Sequence, residues 1–213
     1  MTPHAASDFT RALCQHAPVI PVLVIDDATQ ARPLAEALVA GGLPVIEVTL
    51  RTPAALKAIA EMADVTGAVV GAGTLITPAD VEAAQAAGAR FGVSPGATPA
   101  LLDAARSGAL PLLPGAATAT EAMALLERGY SVQKFFPAQA AGGPAALKAL
   151  AGPLPQIGFC PTGGITPENA PDYLALPNTL CVGGSWIAPR PMLAAGDWAG
   201  ITALAREAAG LAR

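Results

Sequence analysis

One unit recurs along these 213 residues: a short apolar run, then Gly, Pro or Thr, then an Ala/Leu-rich stretch of helical character. The runs are 19–25, 44–49, 68–73, 90–94, 109–113, 132–136, 157–161 and 180–183. Strands that alternate with helices cannot pair through tight hairpins, so they form a parallel sheet. Eight of them in about 200 residues predict a closed (β/α)8 barrel, the TIM-barrel fold of the α/β class. No linker or composition break interrupts the series, so residues 1–213 are expected to form a single barrel domain. Residues 7–16 read as an extra N-terminal helix ahead of the first strand.

The helix starts are TPAALKAIA, TPADVEAAQAAG, TPALLDAARSG, TATEAMALLERG and TPENAPDYLAL. Thr at the N-cap with Pro at the first helical position favours such a start, because the missing proline N–H is one the helix cannot satisfy anyway. Gly41, Gly88, Gly108 and Gly129 are expected to close helices in the left-handed conformation.

Several function classes are excluded early. A net charge of −4 leaves no basic surface for nucleic acid. No apolar run approaches the ~20 residues of a membrane span, and the first twenty residues lack the pattern of a signal peptide. Cys14, Cys160 and Cys181 are odd in number and show no CxxC spacing, which suggests a reduced, cytoplasmic protein. His4 and His16 are the only histidines. A catalytic zinc takes about three protein ligands, and no recognisable spacing supplies them, so neither a metal nor a cofactor is expected.

The second strand, PVIEVTLRT, places its polar residues clearly. Side chains alternate between faces. Ile46, Val48 and Leu50 share one face; Val45, Glu47, Thr49 and Arg51 share the other. The wholly apolar face packs on helices, so Glu47 is expected in the lumen and Arg51 near the C-terminal rim.

The sixth strand is less clear. Lys134 is one of three lysines in the chain. Val132, Lys134 and Phe136 share a face, Gln133 and Phe135 the other, and both faces are mixed. A lysine snorkelling outward between helices fits the pattern too. Position favours function: Lys134 lies near the C-terminal end of its strand, where such barrels place active sites. An exposed lysine has a pKa of ~10.4 and is almost wholly ammonium at pH 7. Burial disfavours that charge and frees the amine to attack a ketone. The resulting iminium is an electron sink, and Glu47 is the candidate proton shuttle. Arg51 suits a substrate carboxylate.

Two glycine pairs follow the last two strands: PTGGIT, with Gly163 and Gly164, and VGGSW, with Gly184 and Ser185. Loops in these two places commonly bind phosphate through uncovered backbone N–H groups. Thr74 in GAGTL, and the turn Ser94, Pro95 and Gly96, offer further hydrogen bonds at the rim. Thr74 reads equally well as a helix N-cap.

Taken in order, EVTLRT, GAGT, SPG, PG-x-x-T, KFFPA, FCPTGGI and GGSW resemble the 2-keto-3-deoxy-6-phosphogluconate aldolases, which also act on 4-hydroxy-2-oxoglutarate. The resemblance runs from about Pro18 to Arg206. It implies a class I lyase of the Entner–Doudoroff pathway that forms pyruvate and D-glyceraldehyde 3-phosphate, without cofactor, as a homotrimer. Lys134 matches the Schiff-base lysine and Glu47 the general acid/base. Arg51, Thr74 and Pro95 match groups around the pyruvate carboxylate, and Phe136 the aromatic beside it. Thr162 matches a threonine tied to stereochemical choice at C4. Gly163, Gly164, Gly184 and Ser185 match the phosphate site. Enzymes for the galactonate epimer resemble EIPLNSP at the second strand, so EVTLRT favours the gluconate form. Gln139, Ala141, Ala97 and Ala116 depart from the family pattern outside the catalytic set. The rival expectations are a barrel that isomerises or builds phosphosugars without a covalent step, and a non-catalytic barrel.

Overall fold

The eight apolar runs become the staves of a parallel barrel in the computed structural model, which describes residues 1–212. The strands are β1 (Val19–Leu23), β2 (Val45–Thr49), β3 (Val69–Gly73), β4 (Phe91–Val93), β5 (Leu112–Leu113), β6 (Gly115–Ala116), β7 (Val132–Phe135), β8 (Gly158–Pro161) and β9 (Val182–Gly184). β1 pairs with both β2 and β9, and the ladder runs on through β3 and β4 to β5. β6, β7 and β8 form the remaining arc, and bridges at Phe159–Thr179 and Thr162–Gly183 join it to β9.

The fifth stave differs from the sequence expectation. It was expected over 109–113 but begins at Leu112 and continues past Pro114 as β6. Proline has no N–H for the ladder. Its carbonyl still accepts from Lys134 N–H at 2.8 Å, so the stave changes partner from β4 to β7 at this residue.

The helices are α1 (Pro3–His16), α2 (Ala31–Ala40), α3 (Ala55–Ala63), α4 (Pro78–Ala86), α5 (Pro99–Ser107), α6 (Ala119–Glu127), α7 (Gly143–Ala151), α8 (Ala170–Leu174), α9 (Arg190–Ala195) and α10 (Trp198–Ala209). Thr77, Thr98 and Thr118 cap α4, α5 and α6 as expected, and Asp80 and Glu121 complete capping boxes at α4 and α6. Two starts are corrected. Thr52 gives its hydroxyl to Ile25 O, and α3 begins only after Ala54. Thr166 opens a turn closed by Asn169, and α8 begins at Ala170. α1 is also longer than expected, starting at Pro3 under a Thr2 cap.

Two of the four helix-closing glycines are corrected as well. Gly88 and Gly129 are left-handed, but Gly41 and Gly108 are not; Gly42 and Ala109 take that conformation one residue later. Gly41 serves close packing instead, since a Cβ there would collide with Ala205 on α10.

The core has two compartments. Ile46 and Val48 of β2 pack outward with Leu34, Leu38, Ile59 and Met62 of α2 and α3. Ile20, Val45, Phe91, Val93, Leu113 and Val132 fill the barrel interior together with Leu13 and Cys14 of α1. The extra helix therefore belongs to the inner core. Ser7 ties it down: its hydroxyl donates to Gly129 O at 3.1 Å and accepts from Ser131 N–H at 3.0 Å.

Candidate active site

β2 delivers Glu47 inward as its alternation required, and the residue is buried. β7 resolves the ambiguity that the sequence left. Gln133 turns outward under α6, where its amide donates to Ala122 O at 3.0 Å and Tyr130 O at 2.9 Å. Phe135 joins the outer core and Val132 the inner one. Lys134 thus points into the lumen, only 4% exposed. Its Nζ lies 3.3 Å from Glu47 Oε1 and 5.2 Å from the centre of the Phe136 ring.

The other ion pairs among the described residues sit on side chains at least 45% exposed. Such pairs contribute about 0–1 kcal/mol. Burying an ion costs several kcal/mol before its partner offsets any of it. A pair placed inside the barrel is therefore an expensive arrangement for stability alone. Burial is the largest influence on Glu47 and pushes its carboxyl above the ordinary 4.5, while the charges on Lys134 and Arg51 pull it back. Such a carboxyl takes up and gives back a proton more readily near neutral pH.

The remaining expected residues cluster at the C-terminal ends of the strands. Arg51 follows β2, is exposed, and donates from Nε to the Thr74 hydroxyl at 3.2 Å. Thr74 follows β3 with φ 63°, a conformation that costs energy for a residue with a Cβ. It is not an N-cap, since α4 is capped by Thr77. Pro95, after β4, presents its carbonyl where a Cβ on Gly115 would otherwise sit. Thr162, after β8, is buried beside Gly183, which lacks the Cβ that would strike its hydroxyl.

Gly163 and Gly164 follow Thr162 with φ 100° and 76°, values that glycine adopts without strain. The Phe136 ring lies against Gly163, and Gln139 N–H donates to Gly163 O at 3.0 Å. Gln139 also accepts from the Tyr173 hydroxyl at 2.8 Å. Gly184 and Ser185 close β9, with Ser185 exposed.

Two features escaped the sequence reading. Gly73, inside GAGT, leaves room for the Glu47 side chain: a Cβ there would fall 2.7 Å from Glu47 Cγ. Glycines at alternate positions of a strand are a legible sign of close approach. The three cysteines, which lack motif spacing, meet inside the barrel.

Chemically, the site offers an amine and a carboxyl in contact, shielded from water, with a cation and glycine-rich loops at the rim. A ketone carbon at the amine would have a proton acceptor within reach. Residues 10–204 match the family model for KDPG and KHG aldolase. The chain is 53% identical to the KHG/KDPG aldolase of Escherichia coli, over 90% of each chain. It superposes with a TM-score of 0.90 on the 2-keto-3-deoxy-6-phospho-gluconate aldolase of Zymomonas mobilis, at 53% identity, covering 95% of this chain and 97% of that one. The Legionella pneumophila KDPG aldolase, captured with pyruvate as a covalent carbinolamine intermediate, gives a TM-score of 0.91 at 49% identity, covering 94% of this chain and 98% of that one. This chain belongs to the KDPG and KHG aldolase family.

Proposed function

We propose that this protein is a class I aldolase that cleaves 2-dehydro-3-deoxy-6-phosphogluconate to pyruvate and D-glyceraldehyde 3-phosphate. By the same steps it cleaves 4-hydroxy-2-oxoglutarate to pyruvate and glyoxylate. The observation that carries the reading is the Lys134 amine inside the barrel, 3.3 Å from the Glu47 carboxyl. A pyruvate carbinolamine in the Legionella relative supports it.

In this mechanism Lys134 attacks the C2 carbonyl, and the carbinolamine loses water to give an iminium. Glu47 takes the proton of the C4 hydroxyl. The C3–C4 bond breaks, its electrons move toward the iminium nitrogen, and the aldehyde leaves. Glu47 returns the proton to C3 of the enamine, and water then releases pyruvate from Lys134. Arg51, Thr74 and Pro95 hold the pyruvate carboxylate, and Phe136 packs beside its methyl end. Thr162 faces C4. Gly163, Gly164, Gly184 and Ser185 receive the phosphate through backbone N–H groups and one hydroxyl. The working unit is a single barrel domain, assembled as a homotrimer in the cytoplasm.

Incubation with pyruvate and borohydride tests the covalent step. Reduction of the iminium leaves a stable adduct whose mass maps to the peptide carrying Lys134. An unmodified protein after this treatment would return the reading to a barrel that handles phosphosugars without a covalent intermediate.

A further inference from the structure

All three cysteines of the chain converge inside the barrel, although they come from three distant places. Cys14 lies on α1, Cys160 on β8, and Cys181 immediately before β9. Their sulfurs lie within 4.8 Å of one another, with Cys160 and Cys181 at 3.5 Å. Each residue is at most 3% exposed, and none is in a disulfide. Aldol cleavage uses none of them.

The spacing suits a metal. A trigonal centre with metal–sulfur bonds of about 2.3 Å separates its sulfurs by about 4.0 Å. The 3.5 Å pair and the 4.8 Å limit bracket that value. Thiolates select soft ions, chiefly Cu(I) and zinc. Zinc completes a fourth position, and among the described residues no histidine, aspartate, glutamate or further cysteine joins the three sulfurs. The nearest charged groups on the catalytic side, Lys134 and Glu47, are paired with each other. Monovalent copper is satisfied by three thiolates and needs no further donor.

We propose that Cys14, Cys160 and Cys181 form a three-coordinate site for monovalent copper beneath the aldolase centre. The metal arrives already as Cu(I). Copper–sulfur bonds replace sulfur–hydrogen bonds, the thiol protons pass to solvent, and no electron changes hands. Because Cys14 belongs to α1 and the other two to the barrel wall, the metal fastens the N-terminal helix to the barrel.

The test is to load the reduced protein anaerobically with Cu(I) as its acetonitrile complex, desalt it, and record native mass, X-ray absorption and thermal unfolding. One copper per chain, three sulfur neighbours and a raised Tm are expected, with copper lost in Cys14→Ala and in Cys181→Ala. Absorption on the wild-type protein stands even if a variant fails to fold. Loss of copper on desalting, fewer than three sulfur neighbours, or equal retention by folded Cys14→Ala would overturn the site.

Discussion

Lys134 and Glu47 touch across the barrel rather than along its wall. β2 and β7 are four staves apart in an eight-stave ring, and the two residues are 87 positions apart in sequence. Only long side chains bridge that gap. Burial raises the Glu47 carboxyl above its ordinary value, so the contact sets a perturbed carboxyl directly beside the amine.

Replacing Glu47 by Gln separates bond formation at nitrogen from proton transfer. The amide keeps the shape but cannot carry the proton. We expect kcat to fall by roughly 10²–10⁴-fold, while pyruvate is still trapped on Lys134 by borohydride. The pH profile follows from the raised carboxyl of Glu47. The base form accumulates only above that raised value, so the acidic limb of kcat/KM for the wild type lies above pH 4.5, and Glu47→Gln removes it. A wild-type limb at or below that pH would contradict the assignment.

Lys134→Met is expected to abolish turnover and trapping while the barrel remains folded. It strands Glu47 in a buried site without its cation. A carboxyl raised above its unfolded value contributes stability below the unfolded pKa, and that stability is lost as pH rises through the folded pKa. The Tm of Lys134→Met should therefore fall between pH 4 and pH 8 relative to the double variant Lys134→Met/Glu47→Gln. Parallel melting curves for the two variants across that range would show that Glu47 is not strained by the loss.

The sequence made one half of this contact legible and not the other. In PVIEVTLRT one face is wholly apolar, so Glu47 has only the lumen to occupy. In VQKFF both faces are mixed, and the deciding fact is nonlocal: carbonyls of Ala122 and Tyr130 accept the Gln133 amide behind the strand. Alternation cannot reveal such partners. The same limit applies to Thr52, whose hydroxyl is captured by Ile25 O instead of capping α3. It applies again to the cysteines, because α1, β8 and β9 meet only when the barrel forms.

Ser7 predicts a purely structural defect. It satisfies one buried carbonyl and one backbone N–H near the start of β7, and alanine would satisfy neither. Leaving such groups unpaired costs about 1–3 kcal/mol. At this chain length that lowers Tm by about 2–4 °C per kcal/mol. Denaturant unfolding should show the loss, and kcat should be unchanged. A drop in kcat without a drop in stability would mean that α1 acts on the chemistry directly.

Gly73→Ala perturbs Glu47 without changing it chemically. Gly73 has an ordinary backbone conformation, so alanine is tolerated by the main chain. The difficulty is space. The added methyl would fall 2.7 Å from Cγ and 2.8 Å from Cδ of Glu47, and its carboxyl oxygen closer still. Backbone on β3 cannot retreat far, because Thr49–Gly73 is a paired position of the β2–β3 ladder. The Glu47 side chain must therefore swing away, lengthening its contact with Lys134. A misplacement of about 1 Å costs on the order of 10²-fold in rate. We expect kcat to fall by about that factor with borohydride trapping retained, the signature of a displaced base beside an intact amine. Wild-type kcat in folded Gly73→Ala would show that Glu47 does not need its present position, and with it the proton-transfer role proposed for Glu47 would fail.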